Sequence, residues 1–100
     1  MDPGTAYEVG YMRAMGKLAF LYSNAPGAYA DRVASAHDAA GRLADGQGLL
    51  VEDFGLTENL MLACAAEAVF LPDAAPADPW RDYETFTRAA WAAAQKSKSA

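Results

Sequence analysis

The stretch Leu18-Ala19-Phe20-Leu21-Tyr22 constrains this chain more than any other. It is continuously apolar, bounded by Lys17 before it and Ser23-Asn24-Ala25-Pro26-Gly27 after it. A strand with one wet face alternates apolar and polar residues. A run that does not alternate belongs to a strand buried on both faces, as in a parallel sheet. A helical pattern precedes it from about Thr5 to Met15. Gly16 is placed to end that helix, since glycine accepts the left-handed C′ conformation at little cost. Helix, buried strand, helix is α/β order.

The rest of the chain is read against that strand. Residues 28–40 read as a weaker helix stopped by Gly41, and Asp45-Gly46-Gln47-Gly48 as a loop. Leu49-Leu50-Val51 and Val69-Phe70-Leu71 are candidate short strands. Thr57 is placed to cap a helix over about 58–68. Pro72 to Pro79, with three prolines and two aspartates, reads as a linker. Asp78 and Pro79 then open a last helix to about Ala94, followed by a frayed tail from Lys96. Trp80, Tyr83, Phe86, Ala90 and Trp91 fall near one face of that helix and predict apolar docking. There is no internal repeat. One convincing strand is too few, because a lone strand is not a stable element. The strand that should lead into Asp2-Pro3-Gly4-Thr5 is not there, so the expectation is that the N-terminal half of the fold is missing.

Charge and residue counts exclude several classes. The net charge is −5, and Lys and Arg gather only at Lys96 and Lys98. Binding to nucleic-acid phosphates is not expected. One cysteine, Cys64, allows no internal disulfide or multi-cysteine metal site, and the lone His37 makes no zinc site by itself. His37 reads as a solvated residue on a polar helix face and Cys64 as a small core hydrophobe. Asp2-Pro3-Gly4 after Met1 is neither basic nor apolar, so no secretory leader is expected. The apolar-rich run Leu60 to Leu71 carries Glu67 and is too short to span a bilayer. A reducing cytoplasm is the expected location.

Glu8 is the residue with the most chemistry to argue over. Thr5 and Glu8 have capping-box spacing, which makes Glu8 an ordinary partner of its own helix start. On the residues alone that structural role is favoured. Against it, Glu8 shares a helix face with Met12 and Met15, with Tyr11 close by. A partly desolvated carboxylate near a helix N-terminus, held ionised by the dipole, has the makings of a nucleophile. Gly10 costs about 1 kcal/mol inside a helix relative to alanine, so a close approach or tight packing is expected there. Glu52 and Asp53 are adjacent, point apart, and read as loop charges and not as a glycosidase pair.

Three stretches, in order, resemble the nucleoside 2-deoxyribosyltransferase family. They are Asp2 to Gly10 (DPGTAYEVG), Gly16 to Phe20 (GKLAF) and Val51 to Leu62 (VEDFGLTENLML). Thr57 departs from the proline common there. The resemblance implies an α/β, flavodoxin-like or Rossmann-like parallel sheet with flanking helices, of which this chain holds the C-terminal half. It implies residues 1–71 as that half, 72–79 as the Pro/Asp linker, and 80–100 as a C-terminal helix and tail. It implies transfer of a 2-deoxyribosyl group between nucleobases, with Glu8 as catalytic nucleophile attacking the anomeric carbon. Asp2 and Gly4 would belong to the substrate-binding loop, with Asp2 contacting the sugar hydroxyls. Related nucleotide hydrolases carry serine at Asp2, and a carboxylate there repels a phosphate, which favours an unphosphorylated nucleoside. Asn59 would hold the 5′-hydroxyl in a neighbouring subunit's site and Met61 would line it. Read without the resemblance, Asn59 is a helix-surface residue and Met61 a core one. The implied partners are a small-molecule nucleoside and nucleobase and further copies of the chain in a homo-oligomer, with no nucleic acid, membrane, metal or cofactor. Two other readings stay open. One is an N-glycosidase in which water replaces the acceptor base. The other is a non-catalytic truncated interaction module.

Overall fold

The computed structural model describes residues 2–34 and 36–99. They form eight elements: α1 (Pro3–Ala14), β1 (Phe20–Tyr22), α2 (Tyr29–Val33), β2 (Ala36–His37), β3 (Leu43–Ala44), α3 (Leu60–Ala65), β4 (Ala68–Phe70) and α4 (Glu84–Ser99). The chain divides into two compact units, residues 27–63 and the segments on either side of them.

The flanking segments form an α/β unit. β1 and β4 pair in parallel, with Phe20 opposite Ala68 and Tyr22 opposite Phe70. β1 lies within the expected strand, and β4 starts one residue before the candidate Val69-Phe70-Leu71. Neither is buried on both faces as the apolar run predicted. Phe20 and Leu21 are half-buried and Tyr22 is exposed. Two strands cannot bury both faces of a sheet, and α4 is the helix that packs on β1 and β4.

α4 packs through its small residues. Thr85 is 2% and Ala89 4% exposed, whereas Trp80, Tyr83, Phe86 and Trp91 are exposed. The aromatic face expected to dock is therefore not the buried one. Small side chains let a helix approach a two-stranded sheet closely, and bulky ones remain at the margin. Phe86 keeps one such contact, edge-on to Tyr22 with ring centroids 5.4 Å apart. The helix also starts later and runs further than expected. Asp78 and Pro79 open a single turn, in which the Asp78 carbonyl accepts from the Arg81 and Asp82 amides. Asp82 then accepts the Glu84 amide through Oδ1. At the other end the expected frayed tail is helical to Ser99. Lys96 pairs with Glu67 at 3.3 Å, and a cation in the last turn suits the helix dipole.

Residues 27–63 are organised differently. The helix expected over 28–40 is confined to Tyr29–Val33. After it the chain turns into the antiparallel pair β2–β3, so His37 is exposed on a strand and not on a helix. The cause is Asp38, whose Oδ1 accepts the Ala40 and Arg42 amides and whose Oδ2 takes the Arg42 guanidinium. Aspartate that bonds nearby amides offers the backbone an alternative to a helix. Asp45 does the same for its loop, accepting the Gln47 and Leu49 amides. Leu49-Leu50-Val51 contributes only an isolated bridge, Leu50 to Ala44. The helix expected over 58–68 is Leu60–Ala65. Its cap is Asn59, not Thr57, whose hydroxyl instead donates to the Gly27 carbonyl at 3.2 Å.

Candidate active site

α1 carries the residues of the first motif, and its ends explain its bounds. Asp2 is the N-cap, extended at φ −60° and ψ 136°, and Pro3 occupies the first helical position, where a missing amide costs nothing. Asp2 Oδ2 accepts the Thr5 amide at 3.0 Å and the Thr5 hydroxyl at 3.3 Å. At the far end Gly16 has φ +74°. The Lys17 amide reaches the Met12 carbonyl at 2.9 Å and the Gly16 amide reaches Arg13 at 3.0 Å. Those two bonds are a Schellman motif, so the expected stop at Gly16 is observed with its mechanism.

This capping scheme removes the structural role expected for Glu8. The helix begins two residues earlier than Thr5, and Asp2 supplies the cap. Among the described residues the Glu8 side chain makes no hydrogen bond or ion pair. It is also exposed, which corrects the expected partial desolvation. Only one of its neighbours on α1, Val9, is buried. Glu8 borders a shallow apolar groove of about 260 Å³ shared with Tyr7, Tyr11 and Met12. Tyr7 and Tyr11 stack with centroids 6.3 Å apart and planes 23° from parallel. Met12 was expected beside Glu8. Tyr7 was missed, though its i,i+4 spacing to Tyr11 was the signal that would have found it.

Gly4, expected in a loop with Asp2, stands instead in the first turn of α1, and that turn is equally specific. A Cβ at Gly4 would stand 3.1 Å from Asp2 Oδ2. Any side chain there would crowd the carboxylate that caps the helix. Asp2 itself is exposed and its Oδ1 takes no bond among the described residues, so one oxygen remains open to solvent-borne hydroxyls. Gly10 meets nothing within 4 Å, so the close approach expected at that position is not found among the described residues.

Asn59 and Met61 belong to the unit of residues 27–63. Asn59 opens α3 and does not sit a turn inside it. Its Oδ1 accepts the Met61 amide at 3.0 Å and its carbonyl accepts the Ala63 amide at 2.9 Å. Its Nδ2 donates to Glu52 Oε1, so the expected loop charge Glu52 orients this amide. Met61 is 80% exposed, against the core position its residue type predicted, and Cys64 is exposed as well. A methionine with four-fifths of its surface in water contributes little to packing.

The chain matches the family model described as Nucleoside 2-deoxyribosyltransferase over residues 1–61. That is more than half of the chain, and it includes Asp2, Gly4, Glu8, Asn59 and Met61. The chain belongs to the nucleoside 2-deoxyribosyltransferase family. The family is one of pentosyltransferases, acting on small-molecule nucleosides and bases. No curated protein and no solved structure matches the chain. The family match ends within α3, so β4 and α4, which complete the sheet and its covering helix, lie beyond it. Among the described residues no group of three or more His, Cys, Asp and Glu lies together as metal ligands would, and no helix is long and apolar enough to cross a membrane.

Proposed function

We propose that Glu8 is the nucleophile of a 2-deoxyribosyl transfer between nucleobases. The observation that carries this reading is the division of labour on α1. Asp2 caps the helix, so the one glutamate of α1 has no structural task and borders an apolar, tyrosine-lined groove. In the first displacement a Glu8 carboxylate oxygen bonds to the anomeric carbon as the N-glycosidic bond breaks. The departing base keeps the bonding electrons and takes up a proton. In the second, a nitrogen of the incoming base attacks the same carbon and gives up its proton, which balances the one taken by the departing base. The ester bond breaks, and the carboxylate is restored. Two inversions give net retention. Asp2 Oδ1 would accept from the sugar hydroxyls. Gly4 would leave the first turn of α1 free of a side chain, Asn59 would bind the 5′-hydroxyl, and Met61 would line the pocket.

The reading extends to the assembly. Asn59 and Met61 would serve the site of a neighbouring copy, in a cytoplasmic homo-oligomer. The fold would be the C-terminal half of a flavodoxin-like domain carried by residues 1–71, joined through 72–79 to the segment 80–100. Support comes from a parallel sheet of two strands with exposed apolar margins, which further strands would cover. On this reading the chain alone has little or no turnover.

The test joins the chain to an N-terminal segment of a family member and follows deoxyinosine and adenine by chromatography. The joined protein should make deoxyadenosine, and hypoxanthine released without deoxyadenosine would indicate hydrolysis instead. Glu8→Gln should lower turnover by orders of magnitude. It should leave the melting temperature nearly unchanged, because the cap is Asp2. Retained turnover with an unchanged melting temperature would remove Glu8 from the chemistry.

A further inference from the structure

A second concave site lies at the carboxyl end of β1, formed largely by residues beyond the family match. It measures about 590 Å³ and is walled by Tyr22, Pro76, Pro79, Trp80, Asp82 and Tyr83. That volume falls in the range of small-molecule pockets. One side chain holds it together. Asn24 Nδ2 donates to the Pro79 carbonyl at 2.8 Å and the Asp82 carbonyl at 2.9 Å. These two acceptors orient the amide and tie the 79–82 turn to the strand end. Asn24 Oδ1 is left buried without a partner among the described residues. The amide is thus committed to shaping the wall, and Asn24 is a positioning residue.

The lining decides the ligand class. Three electron-rich rings, Tyr22, Trp80 and Tyr83, and the carboxylate-bearing Asp82 contribute, while no Lys, Arg or His does. The nearest cation in sequence, Arg81, turns to Asp78 at 3.8 Å. Trp80 is 89% exposed, so its ring face is not occupied by packing. Aromatic faces attract cations through their quadrupole, and indole does so best. A carboxylate adds charge attraction, and nothing in the lining would neutralise a phosphate. We propose that this pocket binds a ring-bearing organic cation, its ammonium or amidinium group against the aromatic faces and toward Asp82. This does not depend on Glu8 or on glycosyl transfer.

The probe is benzyltrimethylammonium, titrated into the full chain by calorimetry, with benzyl alcohol as its neutral and benzoate as its anionic counterpart. Saturable binding of the cation is expected at millimolar concentrations or below, with both counterparts at least about fivefold weaker. Trp80→Ala should abolish binding. Asp82→Asn should weaken it roughly three- to tenfold with the melting temperature kept, because asparagine can still accept the Glu84 amide. Equal affinity for cation and alcohol would overturn the assignment of ligand charge. Binding that survives Trp80→Ala would place the ligand elsewhere, and no saturable binding of the cation would overturn the site.

Discussion

The two units of this chain are held together by different physics. In the α/β unit the organising contacts are apolar and close. The sheet is short, and Thr85 and Ala89 bring α4 onto it. In residues 27–63 the only buried side chains among the described residues are those of Ala30 and Ala44. There the chain is shaped by carboxylates bonding nearby amides, Asp38 in the hairpin, Asp45 in the following loop and Glu52 on Asn59. The first kind of structure fails when volume changes. The second fails when hydrogen-bond partners or protonation change. Glu8 stands on the first kind of support and Asn59 on the second.

The largest effect should come from the packed helix. Ala89→Arg would force a long cation into the contact between α4 and the strands, and overpacking joined to an unpaired buried charge should cost about 3 kcal/mol or more. Loss of the cooperative thermal transition in circular dichroism is the expected result. A melting temperature within a degree or two of the parent would mean that α4 does not anchor this unit. Of middle size is Asp2→Ala, which removes the α1 cap and should cost about 1 kcal/mol by chemical denaturation. Glu8→Ala should cost less than that, and if it costs as much or more, the helix start is a Thr5–Glu8 capping box after all.

The smallest effect is local and depends on pH. The Arg42 amide and guanidinium hold the Asp38 carboxyl below its ordinary value of 3.8. A carboxyl with a depressed folded value contributes stability above its unfolded value and loses it as pH falls through the folded one. The β2–β3 amides should therefore keep their protection from hydrogen exchange down to about pH 4 and lose it below. Asp38→Asn should abolish that acid transition while leaving the α/β unit unaffected. Acid loss of protection that persists in the variant would assign it to another group.

The same contrast explains what the sequence revealed. The Gly16 stop, the strand β1 and the existence of the last helix were legible because each rests on a strong local signal. A left-handed glycine, an unbroken apolar run and a long periodic segment are such signals. The face of α4 was misread because hydrophobicity favours Trp91 and Phe86, while close packing on a two-stranded sheet favours Thr85 and Ala89. The segment 28–40 was misread because its alanines suit a helix, and one aspartate, Asp38, outweighs them through three hydrogen bonds. At the proposed site, Glu8 was singled out by its motif, and its freedom from the cap was hidden because Thr5 and Asp2 compete for one helix start. Tyr22, Asn24 and Trp80 went unremarked as a group because no local pattern joins a strand end to a turn so far along the chain.

The pairing of β1 with β4 encloses the whole of residues 27–63 within one closed loop. The entropy of closing such a loop grows only with the logarithm of its length, about 0.6 kcal/mol for each doubling. The segment bearing Asn59 and Met61 can therefore lengthen or shorten over generations at little thermodynamic cost to the sheet. Selection on its loops is then set by what they touch, and the α/β unit that carries Glu8 can hold still while its counterpart is remodelled.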